Sequence, residues 1–110
     1  MDHSDKIAEK IFDNTQFMIA YMDRDFNFIR VNKAYANANN QNSEFFTGKN
    51  HFKLYPNPEN ERIFKSVVET GEPYNAYAKP FEHPLLGLTY WDWNLQSIKD
   101  ESGRFNFELN

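Results

Sequence analysis

A chain of 110 residues with a net charge of −4 is the size of one domain, and no repeated segment divides it. Its 16 acidic against 12 basic residues, with no Lys/Arg stripe, argue against nucleic acid as a partner. The absence of cysteine excludes disulfides, thiolate metal sites and cysteinyl photochemistry.

Eleven Phe, six Tyr and two Trp predict a core built from rings rather than aliphatic volume. No apolar run reaches the roughly 18–20 residues that span a bilayer, so direct membrane insertion is not expected. The start, Met1-Asp2-His3-Ser4-Asp5-Lys6, is no secretory signal, and the expected location is cytoplasmic.

Residues 4–13 read as a short amphipathic helix. Ser4 suits the N-cap, Asp5 the first turn, and Ile7, Ala8, Ile11 and Phe12 form its apolar side. So short a helix needs a surface to lie on, either its own sheet or a second copy of the chain. Strands Phe17–Met22 and Phe26–Val31 follow, joined by Asp23-Arg24-Asp25, where an Asp carboxylate accepts backbone N–H bonds. Asn32 caps a short helix, Lys33–Asn39, which the cluster Asn39-Asn40-Gln41-Asn42 ends. Ser43–Gly48 reads as one helical turn closed by glycine.

The next helix has the clearest bounds. Asn57 caps it, Pro58 fits its first position, Glu59 meets the positive dipole end, and Gly71 stops it. Ile63, Phe64, Val67 and Val68 give it one apolar face. A strand Tyr74–Lys79, a loop Pro80–Gly87 and a long strand Leu88–Ile98 come next. Alternation places Trp91, Trp93 and Leu95 on one side of the long strand and Asp92, Asn94 and Gln96 on the other. Which side looks inward is open. A turn at Asp100-Glu101-Ser102-Gly103 leads to a last alternating strand with Phe105, Phe107 and Leu109, which runs to the end as if a longer protein continued.

Four segments in this order resemble the PAS sensory domain family over about residues 14–107. Asp23–Asn32 resembles its first hairpin, with Asn opening the next helix. Phe45-Phe46-Thr47-Gly48-Lys49 is similar to its helical turn followed by Gly and a basic residue. Phe64–Pro73 resembles its long helix and exit, and Trp91–Asp100 with Gly103 its penultimate strand and turn. Ser97 stands where the family commonly has Pro, and the Cys motif of the flavin photosensors is missing, which argues against flavin.

The resemblance implies an α+β fold: a PAS-like, five-stranded antiparallel sheet with helices on one face and an N-terminal amphipathic helix. Residues 1–14 would form a dimerisation or linker helix and residues 15–110 the PAS domain. It implies a non-catalytic signal-input role upstream of a histidine kinase or cyclase module in the same chain, with a ligand between sheet and helices.

Acid–base catalysis lacks a constellation: Asp23 and Asp25 belong to a turn, and Asp92 alone among the carboxylates has a strand position where burial would tune it. No metal site is expected, since the histidines fail on spacing, and no cofactor is expected. His51 is the one haem-ligand candidate, weighed against a histidine bonded to local backbone. Pocket walls would come from Met18, Ala20, Met22, Phe28, Phe45, Phe52, Ile63 and Val67, with Tyr74 or Tyr77, and polar contacts from His51, Asn94 or Gln96. The same side chains can instead close-pack as a filled core, giving a ligand-free dimerisation module. A homodimer would use Ile7, Ile11 and Phe12 with Trp91 or Trp93 if the tryptophans lie outside.

Overall fold

A computed structural model of the chain describes residues 3–97 and 105–109. Ile98 and the turn expected at Asp100–Gly103 lie outside the described residues. In chain order the elements are α1 (His3–Asn14), β1 (Met18–Met22), β2 (Phe28–Val31), α2 (Lys33–Ala38), α3 (Ser43–Phe46), α4 (His51–Leu54), α5 (Pro58–Thr70), β3 (Tyr74–His83), β4 (Gly87–Gln96) and β5 (Phe105–Leu109). The strands stand side by side in the order β2-β1-β5-β4-β3, every neighbouring pair antiparallel.

Local chemistry explains the early elements. Asp23 Oδ1 accepts from the backbone N–H of Asp25 at 2.9 Å and of Asn27 at 3.0 Å, which folds the turn between β1 and β2. Phe26 sits there at φ 71°, a costly conformation for a bulky residue, with its buried ring edge-on to Phe52 and Phe64. Asn32 does more than cap α2. Its Oδ1 accepts from Tyr35 N at 3.0 Å and Ile19 N at 2.9 Å, and its Nδ2 donates to the Phe17 carbonyl at 2.7 Å, so one buried amide ties helix to strand.

Later elements show where local signals work and where they fail. Asn57 accepts from Asn60 N, Pro58 opens α5, and Gly71 closes it at φ 75°, as the residues require. Helix α4 was not foreseen, although Asn50 caps it by accepting from Phe52 N and Lys53 N. The loop expected over Pro80–Gly87 is corrected: β3 runs on to His83 before a tight turn. β3 is an edge strand, so the missing N–H of Pro80 need break no ladder bond.

β3 also carries a bulge. Ala76 pairs with Trp93 and Lys79 with Trp91, so Tyr77 and Ala78 together face Asp92. Ala78 takes φ 49°, and its N–H donates to Asp92 Oδ1 at 2.7 Å. The inserted residue shifts the parity of the strand, bringing Phe81 and His83 to the side of Trp91 and Trp93.

One core results. Ala20, Met22, Phe28, Val31, Ala76, Trp93 and Leu95 from the strands are buried with side chains of α2, α3, α4 and α5. Helix α1 packs on the other side of β1 and β2 and also approaches α2. Phe12 stacks on Tyr21 at 5.7 Å, the Arg30 guanidinium sits 4.2 Å above the Phe12 ring, and Glu9 accepts from Arg30 at 2.7 Å.

Candidate functional site

Between α2, α4 and α5 on one side and the bulged end of β3 and β4 on the other lies a cavity of about 70 Å³. Its walls are largely rings: Tyr35, Tyr55, Phe64, Phe81, Trp91 and Trp93. Met18, Asn39, His51, Asn60, Pro80 and His83 complete them.

A polar network closes one side. Asn39 Oδ1 accepts from Tyr55 Oη at 2.7 Å and lies 2.9 Å from His83 Nε2. His83 Nδ1 accepts from the backbone N–H of Leu85 at 3.0 Å and of Leu86 at 3.2 Å. Two donors at Nδ1 leave the proton of the neutral ring on Nε2, which therefore donates to Asn39. Asn39 Nδ2 donates in turn to the Tyr35 carbonyl at 2.8 Å. The turn after β3, α2 and α4 thus meet at one amide. Burial lowers the His83 pKa and raises that of Tyr55 to about 12, so both stay neutral in the network.

His51 occupies an aromatic box. Its ring stacks on Phe64 at 5.2 Å and meets Phe52 edge-on at 4.6 Å, with Phe28 and Tyr55 at 5.5 Å each. Removal from water drives its pKa down to about 3, although the residue as a whole is half-buried. The haem alternative does not fit here: the box encloses the ring. The cavity is far below the roughly 300–1,000 Å³ used by drug-sized ligands, and a porphyrin is larger still. Among the described residues no group of three His, Cys, Asp or Glu could hold a metal ion.

Asn60, on the first turn of α5, lines the same cavity and is 9% exposed. Its Oδ1 is buried and meets no hydrogen-bond donor among the described residues. An acceptor left so is costly, by about 1–3 kcal/mol, and calls for a partner.

Of the residues expected to form a pocket, the structure brings only Met18 and His51 to this cavity. Ala20, Met22, Phe28, Phe52 and Val67 lie inside the close-packed core, with Phe45, Ile63 and Tyr74 partly buried against it. Asn94 and Gln96 alternate to the opposite side of β4 from Trp93 and Leu95; Gln96 is exposed and Asn94 Oδ1 is buried there without a partner. Tyr77 is exposed.

Trp91 and Trp93 answer the open question of the long strand. They face the helices and line the cavity, so the expectation that they meet a partner chain is corrected; burial against Phe64 and Tyr74 takes Trp93 out of reach. Phe12 is likewise buried within its own chain, whereas Ile7 and Ile11 are 47% and 63% exposed. Asp92 is exposed and bonds the bulge.

Sequence reasoning missed Asn39, Tyr55, Asn60 and His83. A signal existed for two: Asn39 is four residues after buried Tyr35, and Asn60 four before buried Phe64, so each shares a helix face with a core ring. For His83 there was none, because the bulge inverts the alternation that would have marked it.

The PAS fold family model matches residues 12–107, and the chain belongs to that family. Solved structures agree on the architecture. The PAS domain of an HTR-like protein from Haloarcula marismortui superposes with a TM-score of 0.76 at 14% identity, covering 99% of this chain and 96% of that one. A domain of the sensory box sensor histidine kinase/response regulator from Geobacter sulfurreducens gives 0.77 at 14%, covering 97% and 93%. The PAS domain of nitrogen regulation protein NR(II) from Vibrio parahaemolyticus gives 0.79 at 11%, covering 94% and 96%. No curated protein matches the chain.

Proposed function

We propose that this PAS domain is a non-catalytic signal-input module that binds a small molecule in the cavity and passes its occupancy to an output module of the same protein. The observation that carries the reading is a ring-walled cavity between sheet and helices, bordered by the buried polar network of Asn39, Tyr55 and His83. A histidine kinase is the output favoured by the similar Geobacter domain, which comes from one. The setting is cytoplasmic, and among the described residues no helix is long and apolar enough to cross a membrane.

Signalling requires that the ligand favour one of two arrangements; tight binding alone shifts nothing. The network supplies a route, since a ligand beside Asn39 and His83 bears on α2, α4 and the turn after β3 together. Residues 1–14 then act as the pairing and linker helix of a homodimer, its exposed Ile7 and Ile11 meeting a second copy, and residues 15–110 as the sensory domain.

Native mass spectrometry of protein purified from cells tests this. The expected result is a dimer carrying a small molecule that is lost on denaturation, with the Ile7→Asp, Ile11→Asp double variant at the mass of a single chain. Identical native and denatured chain masses would favour the alternative, a dimerisation module with a filled core.

A further inference from the structure

The cavity wall contributed by β3 and β4 is weakly anchored. Among the described residues, β5 pairs with β4 only at residues 93–96, and β3 is an edge strand. Residues 79–83 and 87–91 therefore pair only with each other, as a two-stranded ribbon. Such a ribbon is marginal by itself and stays down only through what it packs on. Its outer side is bare, with Leu85, Leu88 and Tyr90 all more than half exposed.

The inner side brings Phe81, His83 and Trp91 to the cavity. There the His83 Nε2–H reaches across to Asn39 Oδ1 on the helix side at 2.9 Å, next to ring contacts of Phe81 and His83 with Tyr55. The same imidazole accepts from Leu85 and Leu86, so the tip of the ribbon is fastened to this bond. Thr89 Oγ1 donates to the Phe81 carbonyl at 2.9 Å and accepts from Trp91 Nε1 at 2.6 Å. Those bonds stiffen the ribbon, so that it moves as one body.

At its base both strands change character at the same level. The bulge sets Ala78, at φ 49°, opposite Asp92, the residue between Trp91 of the ribbon and Trp93 of the sheet. A left-handed alanine is strained and the extra residue interrupts the ladder, so bending costs least here. Lys79, paired with Glu59 at 3.5 Å, lies beside this axis, where movement is smallest.

We infer that residues 79–91 form a flap that swings about the Ala78–Asp92 bulge, is latched by His83 on Asn39, and admits molecules to the cavity. Pro80 apart, the lining residues are buried or half-buried, so an organic molecule enters only when part of the wall moves. Opening breaks the latch and the contacts with Tyr55 but leaves the packing of Phe28, Phe46 and Leu95 intact. That is a local opening, of the kind that lids over binding sites use.

Both tryptophans of the chain line the cavity, so access is readable without a ligand. In Trp91→Phe the sole indole is Trp93, and its quenching by acrylamide, which is small and uncharged, reports entry. In parallel, amide hydrogen exchange of the full chain is followed residue by residue at rising urea below the unfolding transition. Ribbon amides are expected to exchange about 100-fold faster than the slowest amides of β1, nearly independently of urea. His83→Leu removes the latch and should speed ribbon exchange roughly tenfold, with Trp93 quenching raised severalfold in the Trp91→Phe background. Asp92→Ala loosens the hinge and should act in the same direction to a smaller degree, which covers failure of the first variant to fold. Ribbon amides that open only with the whole chain would overturn the flap. So would faster ribbon exchange with Trp93 quenching unchanged, because the ribbon would then not guard the cavity. Neither readout involves a ligand, so protein purified empty would defeat the sensing role and leave the flap standing.

Discussion

The two ends of the helix-covered side are made from the same ring-rich composition and bury it differently. Under β1 and β2, Phe28 packs on Tyr35, Phe46 and His51, and Phe46 on Tyr35 and Phe45, with edge-on and tilted rings at 5.1–5.8 Å. Under β3 and β4, the rings of Trp91, Trp93, Phe81 and Tyr55 surround space, and Asn39, His83 and Asn60 reach into it. In the first end the buried amide of Asn32 makes three hydrogen bonds of its own. The second end keeps a cavity. Close packing and open space thus lie under different halves of one sheet.

The contrast can be broken most forcefully at its dense end. Phe28→Ala should cost about 3–5 kcal/mol in urea unfolding, because a fully packed ring leaves a void its neighbours cannot close. At the hollow end, Asn39→Leu strands the Tyr55 hydroxyl and the His83 N–H, an expected loss of about 2–4 kcal/mol with the cavity signals disturbed. A loss confined to stability, with those signals unmoved, would erase the division drawn between the two ends.

Acid should sharpen it further. Burial holds His51 near a pKa of about 3 when folded against 6.5 for an ordinary histidine. The folded state therefore favours the neutral ring, and the contribution is complete above about pH 6.5. Below it the unfolded chain takes up the proton first, and stability falls by about 1.4 kcal/mol per pH unit until pH approaches the folded value. His83, lowered by the same cause, adds a loss of the same sign. His51→Phe should flatten the slope of unfolding free energy between pH 6 and 4, roughly by that amount per unit; an unchanged slope would show that His51 is not enclosed as described. The smallest effect belongs to the bulge. Asp92→Ala removes the acceptor for Ala78 N–H and should cost about 1 kcal/mol, read as a small shift in urea midpoint.

Much of the dense end was legible in the sequence. Asn32 and Asn57 announced their helices, Gly71 ended one, and the periodic apolar residues Phe28, Phe64 and Val67 are where the core forms. The hollow end was far less so. Its key residues are Asn and His, types that mark caps and loops as often as cavities, and nothing local separates the two uses. The sidedness of the long strand was readable, but not its orientation, since that depends on which layer the helices choose. A single extra residue in β3 then decided whether Glu82 or His83 faced inward.

A crystal structure of the protein as purified from cells, without stripping, addresses the central claim directly. The account predicts density for a small molecule in the cavity, among the rings of Tyr55, Phe81, Trp91 and Trp93. A close-packed interior with no density among Tyr55, Phe81 and Trp91 would contradict it.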